Sequence, residues 1–302
     1  MEFRGIGQAP DSPVTGTAAW LSSVCTIMSK DAAFGPILND PYAIHFARGI
    51  SAQAPALLAA YDDEAYRSAF IAERERVLPG TLTVVCYRKP EMERLTREAL
   101  AATGADQLVV MGVGCDTLAL RLARDGVTPK VFEIDRPPVI DYRNEVFEDV
   151  PLDLGHVHGV GVDFDHQTFG EMLLAAGYDP SARTVFFAEG LLGYVQPEAV
   201  DEIFRFIKQQ SAPGSRFVFS FTENRRADSA KRTATSAVLD RQGESPVFDL
   251  PPAEARTFVE SRGLKLLELL TAHDLRAKYR ERVNGPVRIR VLDFMHLAVA
   301  ET

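Results

Sequence analysis

The chain has 302 residues, of which 46% are hydrophobic and 25% carry a charge, and its formal net charge at pH 7 is -9. This length suits one large domain, or one domain with an extension. Because the chain is acidic, neither a nucleic acid nor an anionic membrane surface is expected as a partner.

The cysteines and the N-terminus indicate the cellular compartment. Cys25, Cys86 and Cys115 are scattered and fit no zinc spacing, so neither a metal site nor a disulfide framework is expected. Residues 1–13 lack the apolar core of a signal peptide, and no apolar run reaches the roughly 18 residues of a membrane span. These features predict a protein of the reducing cytoplasm. The sequence carries no indication of the oligomeric state.

The N-terminal third of the sequence predicts helices and no strand. Helical spacing of apolar residues predicts helices at 15–29, 62–77 and 90–103. Asp40 followed by Pro41 predicts another helix start, with an N-cap residue and a proline at the first helical position. Residues 1–105 are therefore predicted to form a helical cap that precedes a catalytic domain at 106–302.

The sequence from Gln107 to Asp135 predicts the first β-α-β unit of a nucleotide-binding sheet. An apolar strand ends at a turn containing Gly112 and Gly114, a helix follows, and a second apolar strand ends at Asp135. Glycines let the backbone turn tightly and approach a ligand, and an acid in this position can bond a ribose. Thr117 replaces the third glycine of the dinucleotide fingerprint, which favours a nucleoside without phosphates, such as S-adenosylmethionine. A plain crossover with a glycine turn remains the alternative without a ligand.

Strand and helix patterns alternate after this unit, which predicts an open, mostly parallel sheet with helices on both faces. Strands are predicted at 156–163, 183–188 and 215–222, and helices at 138–147, 167–176, 197–210 and 251–262. The polar segment 223–250 breaks the alternation and is predicted to be a lid insertion. Two closing strands, at 264–270 and 287–300, are expected to form an antiparallel edge pair with a hairpin-like connection.

Several motifs, in order along about residues 15–225, resemble the leucine carboxyl methyltransferase family. They are Asp40-Pro41-Tyr42, the glycine turn from Val109 to Thr117, Phe132 to Pro137, Ala188 to Tyr194 with Pro197-Glu198, and Ala212 to Ser215. This family is a branch of the S-adenosylmethionine-dependent methyltransferases. The resemblance therefore implies a Rossmann-like methyltransferase sheet and S-adenosylmethionine as cofactor. The family includes an enzyme that methylates a phosphatase C-terminus and bacterial members that act on small natural products.

The resemblance also implies roles for individual residues. Gly112 lies under the methionine end of the cofactor, Asp135 bonds the ribose, Asp163 reaches the adenine amino group, Glu189 faces the amino group and sulfonium, and Arg88 pairs with the carboxylate. Gly114 completes the predicted cofactor-binding set. The sequence departs from the family after Arg88, where Lys89 replaces Thr or Ser and Glu93 replaces Asp. Lys30 lies near the position of a basic cap residue that contacts cofactor in the phosphatase-directed enzymes, but its spacing to Asp40 differs by one.

These observations predict an S-adenosylmethionine-dependent O-methyltransferase that acts on a carboxylate of a small molecule or a peptide terminus. Methyl transfer from a sulfonium needs alignment and no metal. A carboxylate, with a pKa of ~4, is already ionised at neutral pH and needs no general base. No catalytic side chain is therefore predicted, and His273 and Tyr194 are only candidates for a base and a substrate contact.

Three alternatives remain open at this point. A phenol or alcohol acceptor would need a base or a lowered acceptor pKa. A nicotinamide-dependent oxidoreductase could use the same sheet, although the third glycine and a Tyr-x-x-x-Lys pair are missing. A non-catalytic nucleoside-binding protein would not need Glu189 and Arg88.

Overall fold

The computed structural model describes residue 14 and residues 16–52, 54–77, 79–223, 246–280 and 294–302. Five helices come first in this part of the chain: α1 Gly16–Ser29, α2 Gly35–Leu38, α3 Ala43–Ile50, α4 Pro55–Asp62 and α5 Glu64–Val77. A helix does follow Asp40, but α3 begins at Ala43 with Tyr42 as its N-cap residue, so the predicted cap at Asp40 and first helical position at Pro41 are wrong by two residues. The Asp40 carboxylate still supports this start, because it accepts the backbone N–H groups of Tyr42 and Ala43, each at 3.1 Å.

The sixth helix, α6, spans Thr81–Thr103 and contains Pro90 in its interior. The predicted start at Pro90 is wrong by nine residues. An interior proline removes one helical hydrogen bond, but α6 is buried along most of its length and packs against both the cap and the sheet, which offsets that cost. Arg88 and Lys89 therefore lie inside a buried helix and not in a loop before it.

The sheet has seven strands in the order β3-β2-β1-β4-β5-β7-β6. They are β1 Gln107–Met111, β2 Lys130–Asp135, β3 Val157–Gly161, β4 Thr184–Ala188, β5 Arg216–Thr222, β6 Lys265–Leu270 and β7 Met295–Glu301. The first five run parallel, and β7 runs antiparallel to both β5 and β6. The prediction of a mostly parallel sheet with an antiparallel edge is confirmed. The strand order reverses between β1 and β4, and ligands bind at such a switch point in open sheets of this kind.

Helices connect the parallel strands, as the alternation predicted. They are α7 Leu118–Arg124, α8 Pro137–Glu148, α9 Phe169–Ala175 and α10 Pro197–Gln209, with a 3₁₀ turn at Leu192–Tyr194. Two further helices follow β5: α11 Ala255–Glu260 and α12 Ala272–Arg280.

The predicted hairpin-like connection between the last two strands is wrong. Helix α12 follows β6, and it begins with a reciprocal cap in which Thr271 and Asp274 bond each other's side chains and backbone N–H groups. The helix packs back on α6, where the hydroxyl of buried Tyr279 donates to Glu91 at 2.8 Å. Residues 281–293 lie outside the described residues.

The cap and the sheet share one apolar core. One continuous cluster contains Val24 of α1, Leu82 of α6, Val110 of β1 and Phe187 of β4. Each of these side chains is almost fully buried, and such burial stabilises a fold by about 1.5–3 kcal/mol per large side chain. This core fixes α1 and α6 against the carboxyl ends of the strands. The division of the chain at residue 105 stays a prediction.

The predicted lid at 223–250 falls mostly on residues 224–245, which lie outside the described residues. At its far end, Val247 and Phe248 both donate backbone N–H groups to the carbonyl oxygen of Gly193, at 2.8 and 3.2 Å. Leu250 donates to the carbonyl oxygen of Thr222 at 3.1 Å. The chain therefore returns beside the carboxyl ends of β4 and β5.

Among the described helices, none combines the length and the apolarity that crossing a membrane requires. The cytoplasmic location stays a prediction.

Candidate cofactor and active site

A cavity of about 360 Å³ lies at the switch point of the sheet. Its floor includes Val110 of β1 and Phe187 of β4, and its roof includes Ala18, Leu21 and Cys25 of α1. Small-molecule sites occupy roughly 300–1,000 Å³ and are mostly apolar with a few polar groups. The helical cap therefore closes a site of small-molecule size over the ends of the strands.

The glycine turn after β1 borders this cavity. Gly112 and Gly114 have φ angles of +64° and +47°, a region that residues with a Cβ adopt at a cost. A Cβ on Gly112 would lie 2.8 Å from the Leu191 side chain, and one on Gly114 would lie 3.3 Å from Ala18. Both positions therefore need glycine for the backbone shape and for the close approach of neighbouring groups.

Asp135 ends β2 beside the glycine turn and lines the cavity. One carboxylate oxygen accepts the N–H of Gly114 at 2.8 Å, and the other accepts the N–H of Arg136 at 2.8 Å. Each oxygen keeps a second lone pair for a ligand. Asp135 therefore holds the turn in place and offers hydrogen-bond acceptors to the cavity, at the position that the sequence predicted.

Two cations and two carboxylates form a four-charge cluster at the other side of the cavity: Arg88, Lys89, Asp116 and Glu189. The Arg88 guanidinium lies 2.7 Å from Glu189, whose side chain is 5% exposed. The Lys89 ammonium contacts Asp116 and lies 3.4 Å from Glu189. The cluster is buried and balanced in charge, which is the condition under which ion pairs persist inside proteins.

The protonation states within this cluster follow from its pairing. Burial works against the charged form of Lys89, but Asp116 and Glu189 outweigh it and raise the pKa of the ammonium above its ordinary value. Burial also opposes ionised Asp116, yet Lys89 and Arg121 hold the pKa of that carboxyl well below its usual range. Lys89 and Asp116 are therefore both charged at neutral pH.

A second cluster of charged and polar side chains joins the helical cap to the glycine turn. Arg121 of α7 places its Nε 2.6 Å from Glu93 and an Nη 3.2 Å from Asp40. The hydroxyl of Thr117 donates to the same Asp40 at 2.6 Å. Thr117, which occupies the place of the missing third glycine, thus bonds the cap residue that also lines the cavity.

Arg143 of α8 supports the glycine turn from behind. It donates to the carbonyl oxygens of Gly114 and Asp116 at 2.9 and 2.8 Å, and to both carboxylate oxygens of Glu133 at 2.6–2.8 Å. Its guanidinium also lies 5.1 Å from the ring centre of Phe46. Burial raises the pKa of Glu133 even though Arg143 opposes that shift. The turn is therefore held by a buried ion pair and not by loop residues alone.

Comparison with known proteins assigns the family. A family profile described as leucine carboxyl methyltransferase matches residues 23–208. A Mycolicibacterium smegmatis protein named as an S-adenosyl-L-methionine-dependent methyltransferase is 30% identical over 269 residues, which cover 84% of each chain. A Mycobacteroides abscessus protein with the same type of name is 33% identical over 186 residues, covering 61% of this chain and 59% of that one. The chain belongs to the leucine carboxyl methyltransferase family.

The protein is therefore an S-adenosylmethionine-dependent methyltransferase, as the resemblance implied. Solved structures share its fold. A DUF574 family protein from Streptomyces avermitilis has a TM-score of 0.56 at 18% identity, covering 80% of this chain and 92% of that chain. A methyltransferase from Thermobifida fusca has a TM-score of 0.54 at 17% identity, covering 82% and 92%. The methyltransferase family sets aside the oxidoreductase and non-catalytic alternatives.

The cavity of this methyltransferase fits S-adenosylmethionine, which joins a nucleoside to an amino-acid end. The glycine turn has a left-handed backbone without side chains, which lets a ligand approach closely, and Asp135 beside it offers acceptors to hydroxyl groups. Lys89 and Glu189 offer charges of both signs at the other side. A zwitterionic amino acid would find a partner for each of its charges there.

The structure brings some of the predicted residues to the cavity and leaves others away from it. Gly112, Gly114, Asp135, Glu189 and Tyr194 line the cavity. Tyr194 is 39% exposed, so it stands where the cavity meets solvent.

Arg88 and Asp163 do not line the cavity. The Arg88 guanidinium lies behind Glu189 and donates through Nη1 to the sulfur of Met295 at 3.3 Å. Asp163 is exposed after β3 and accepts the N–H of Asp165 at 3.2 Å in a local turn. Their predicted contacts with the cofactor stay predictions.

Lys30 and His273 also lie elsewhere. The Lys30 ammonium donates to the carbonyl oxygen of Tyr61 at 2.6 Å, at the far end of α1. The His273 side chain is 87% exposed at the start of α12.

Cys115 packs as a buried small hydrophobe, and burial raises the pKa of its thiol to about 12, so it stays protonated at neutral pH.

Sequence reasoning did not place Lys89, Asp116 or Asp40 at the cavity, although all of them line it. Lys89 was noted only as a departure from the family, and which of the neighbours Arg88 and Lys89 faces the cavity depends on the rotation of α6 against the sheet. No single-sequence signal reports that rotation. Asp116 follows the glycine turn directly, so an acid at that place was a signal that could have found it.

Proposed function

We propose that this methyltransferase transfers a methyl group to a carboxylate oxygen of a small molecule or a peptide terminus. The observation that carries the proposal is the absence of a histidine at the cavity. All six histidines of the chain lie among the described residues, and none of them lines the cavity. A carboxylate, with a pKa of ~4, is ionised at neutral pH and needs no general base.

Asp116, which also lines the cavity, is a poor base. Asp116 contacts Lys89, which holds the pKa of its carboxyl well below the usual range once burial has been overcome. A base with so low a pKa would leave a phenol or an alcohol, with a pKa of ~10 or more, almost fully protonated. The cavity therefore favours an acceptor that arrives already ionised.

We propose the following roles for the cavity residues. When bound, S-adenosylmethionine supplies an electrophilic methyl group on a sulfonium. Asp135 accepts hydrogen bonds from the ribose hydroxyls, and Glu189 accepts one from the amino group. Gly112 and Gly114 allow the ligand to approach the backbone. The apolar roof from α1 excludes water, so catalysis consists of alignment in a dry site.

Two further roles depend on groups outside the cavity. Arg88 fixes Glu189 through the 2.7 Å ion pair. Asp163 lies after the carboxyl end of β3, and its proposed contact with the adenine amino group requires the adenine to reach beyond the cavity toward that strand. Tyr194, at the opening, is the proposed contact for the acceptor.

The chemistry of the product tests the acceptor class. We expect an ester that mild base hydrolyses, and a transfer rate that stays nearly flat from pH 6 to pH 8, because no group must lose a proton in that range. Replacing exposed His273 by alanine should leave the rate unchanged. A base-stable ether, a rate that rises about tenfold per pH unit, or collapse of activity in His273→Ala would instead indicate a phenol or alcohol acceptor.

A further inference from the structure

Lys89 is the buried cation that lines the cavity, whereas its neighbour Arg88 points behind Glu189. We propose that Lys89 binds the carboxylate at the amino-acid end of the cofactor, and that it leaves Asp116 to do so. This inference rests on S-adenosylmethionine as the cofactor and adds a residue for which the family resemblance implied no role.

The position of the two cations favours Lys89. Its side chain is 8% exposed and lines the cavity, so a ligand there meets the ammonium without any rearrangement of α6. The Arg88 guanidinium is held from two sides, by Glu189 at 2.7 Å and by the sulfur of Met295 at 3.3 Å. Its Nη2 is buried and has no hydrogen-bond partner among the described residues. Arg88 is therefore the competing candidate that an experiment must exclude.

The partners of Lys89 can release it at little cost, because each of them has another donor. Asp116 also accepts the backbone N–H of Leu118 at 2.6 Å, at the start of α7, and Arg121 adds a favourable charge nearby. Glu189 keeps Arg88. When Lys89 turns to a ligand carboxylate, neither protein carboxylate becomes a buried charge without a partner, which is the costly outcome.

The charge balance of the cluster also survives ligand binding. The amino-acid end of the cofactor brings one ammonium and one carboxylate, so the net charge of the buried site does not change. The ligand ammonium takes the place between Asp116 and Glu189 that Lys89 vacates. Lysine suits such an exchange, because its charge sits on a flexible stem with three rotatable donors.

A cycle of ligands and variants tests the inference by calorimetry, without any turnover. The ligands are S-adenosylhomocysteine and decarboxylated S-adenosylhomocysteine, which keeps the amine and lacks only the carboxylate. The parent should prefer the complete ligand by roughly 10- to 100-fold, the usual range for a charge-assisted hydrogen bond. Lys89→Met should lose most of this preference and bind the decarboxylated ligand within about threefold of the parent.

Lys278→Met is the matched control. Lys278 lies on α12 and pairs at 2.6 Å with buried Glu91, which belongs to α6 like Lys89. Lys278 does not line the cavity. This variant should keep the full preference of the parent for the carboxylate. Circular dichroism confirms that each variant is folded, and if Lys89→Met does not fold, Lys89→Gln replaces it with a side chain that still donates a hydrogen bond to Asp116.

Two results would overturn the inference. If the Lys89 variants keep the parent's preference while Arg88→Lys loses it, Arg88 binds the carboxylate. If the parent binds both ligands equally, no cation of the cluster binds the ligand carboxylate. If the parent binds neither ligand, the cavity is not a cofactor site and the proposed function itself fails. That outcome is distinguishable, because it appears before any substitution is made.

Discussion

At the scale of single residues, Asp135 has two tasks, since it accepts the N–H of Gly114 and faces the cavity. Asp135→Ala should weaken S-adenosylhomocysteine binding by on the order of 1–3 kcal/mol, which is roughly 5- to 150-fold, through lost hydrogen bonds to the ribose. Calorimetry measures the effect. Asp141→Ala, on the exposed side of α8, is the control and should bind like the parent. Equal affinities for all three proteins would mean that the ribose lies elsewhere.

Alanine substitutions at two glycines with positive φ distinguish the cost of backbone strain from the effect on ligand binding. Gly112→Ala should lose stability by about 1–2 kcal/mol from its left-handed backbone, and should also lose affinity, because the new Cβ lies 2.8 Å from Leu191 in the cavity wall. Gly126→Ala has a φ of +74° with open space around the Cβ, so it should lose stability alone. Urea unfolding and calorimetry measure the two effects. A Gly112→Ala protein with unchanged affinity would show that the turn does not face the ligand.

At the scale of secondary-structure elements, α8 supports the glycine turn through the buried pair of Arg143 and Glu133. Arg143→Met should destabilise the fold by about 3–5 kcal/mol, because it leaves Glu133 buried without its partner. The double variant with Glu133→Met should be more stable than Arg143→Met alone. Urea unfolding measures both, and a double variant that is the less stable of the two would contradict this account of the pair.

The sequence predicted the elements whose signal is local. The strand that ends in the Gly112 turn and the strand that ends in Asp135 carry their own apolar runs and glycines, and both are placed as predicted. The start of helix α6 was predicted wrongly, because a proline such as Pro90 usually marks a helix boundary. Packing of α6 against the cap and the sheet overrides this local signal. Helix α12 was missed although Thr271 and Asp274 form a local helix-start signal. The rest of its sequence is polar, and the contacts with α6 that hold it, such as Tyr279 with Glu91, are not local.

The candidate site shows the same limit. Residues at strand ends, such as Asp135 and Glu189, follow from the parallel sheet, because parallel strands bring their carboxyl ends to one edge. The choice between Arg88 and Lys89 depends on how α6 is rotated against that edge, which only tertiary packing decides.

At the scale of the whole molecule, buried ion pairs between elements make stability depend on pH. Burial opposes the charge of Asp116, Glu93 and Glu91, but their cationic partners outweigh it and lower the pKa of each. A lowered pKa stabilises the fold above the unfolded value, near ~4, and that contribution is lost as the pH falls through the folded pKa. Burial raises the pKa of Glu133 and of Glu75, and these two groups act in the opposite direction to the three above.

We therefore expect the thermal midpoint to fall steadily when the pH is lowered from about 5 to about 3. The variant Lys89→Met should show a shallower decrease, because Asp116 then loses the partner that lowers its pKa most. Differential scanning calorimetry across this range measures both slopes. A midpoint that rises on acidification, or equal slopes in parent and variant, would contradict the assignment of these pairs.

We expect the cofactor to bind in the cavity roofed by α1, between the glycine turn and the four-charge cluster. A crystal structure of the protein with S-adenosylhomocysteine would show whether it does. We predict the ligand inside this cavity, with its ribose hydroxyls in hydrogen-bond contact with Asp135 and its amino-acid end between Glu189 and Lys89. Ligand density at another part of the protein, or a ligand in the cavity whose ribose does not contact Asp135, would contradict the account.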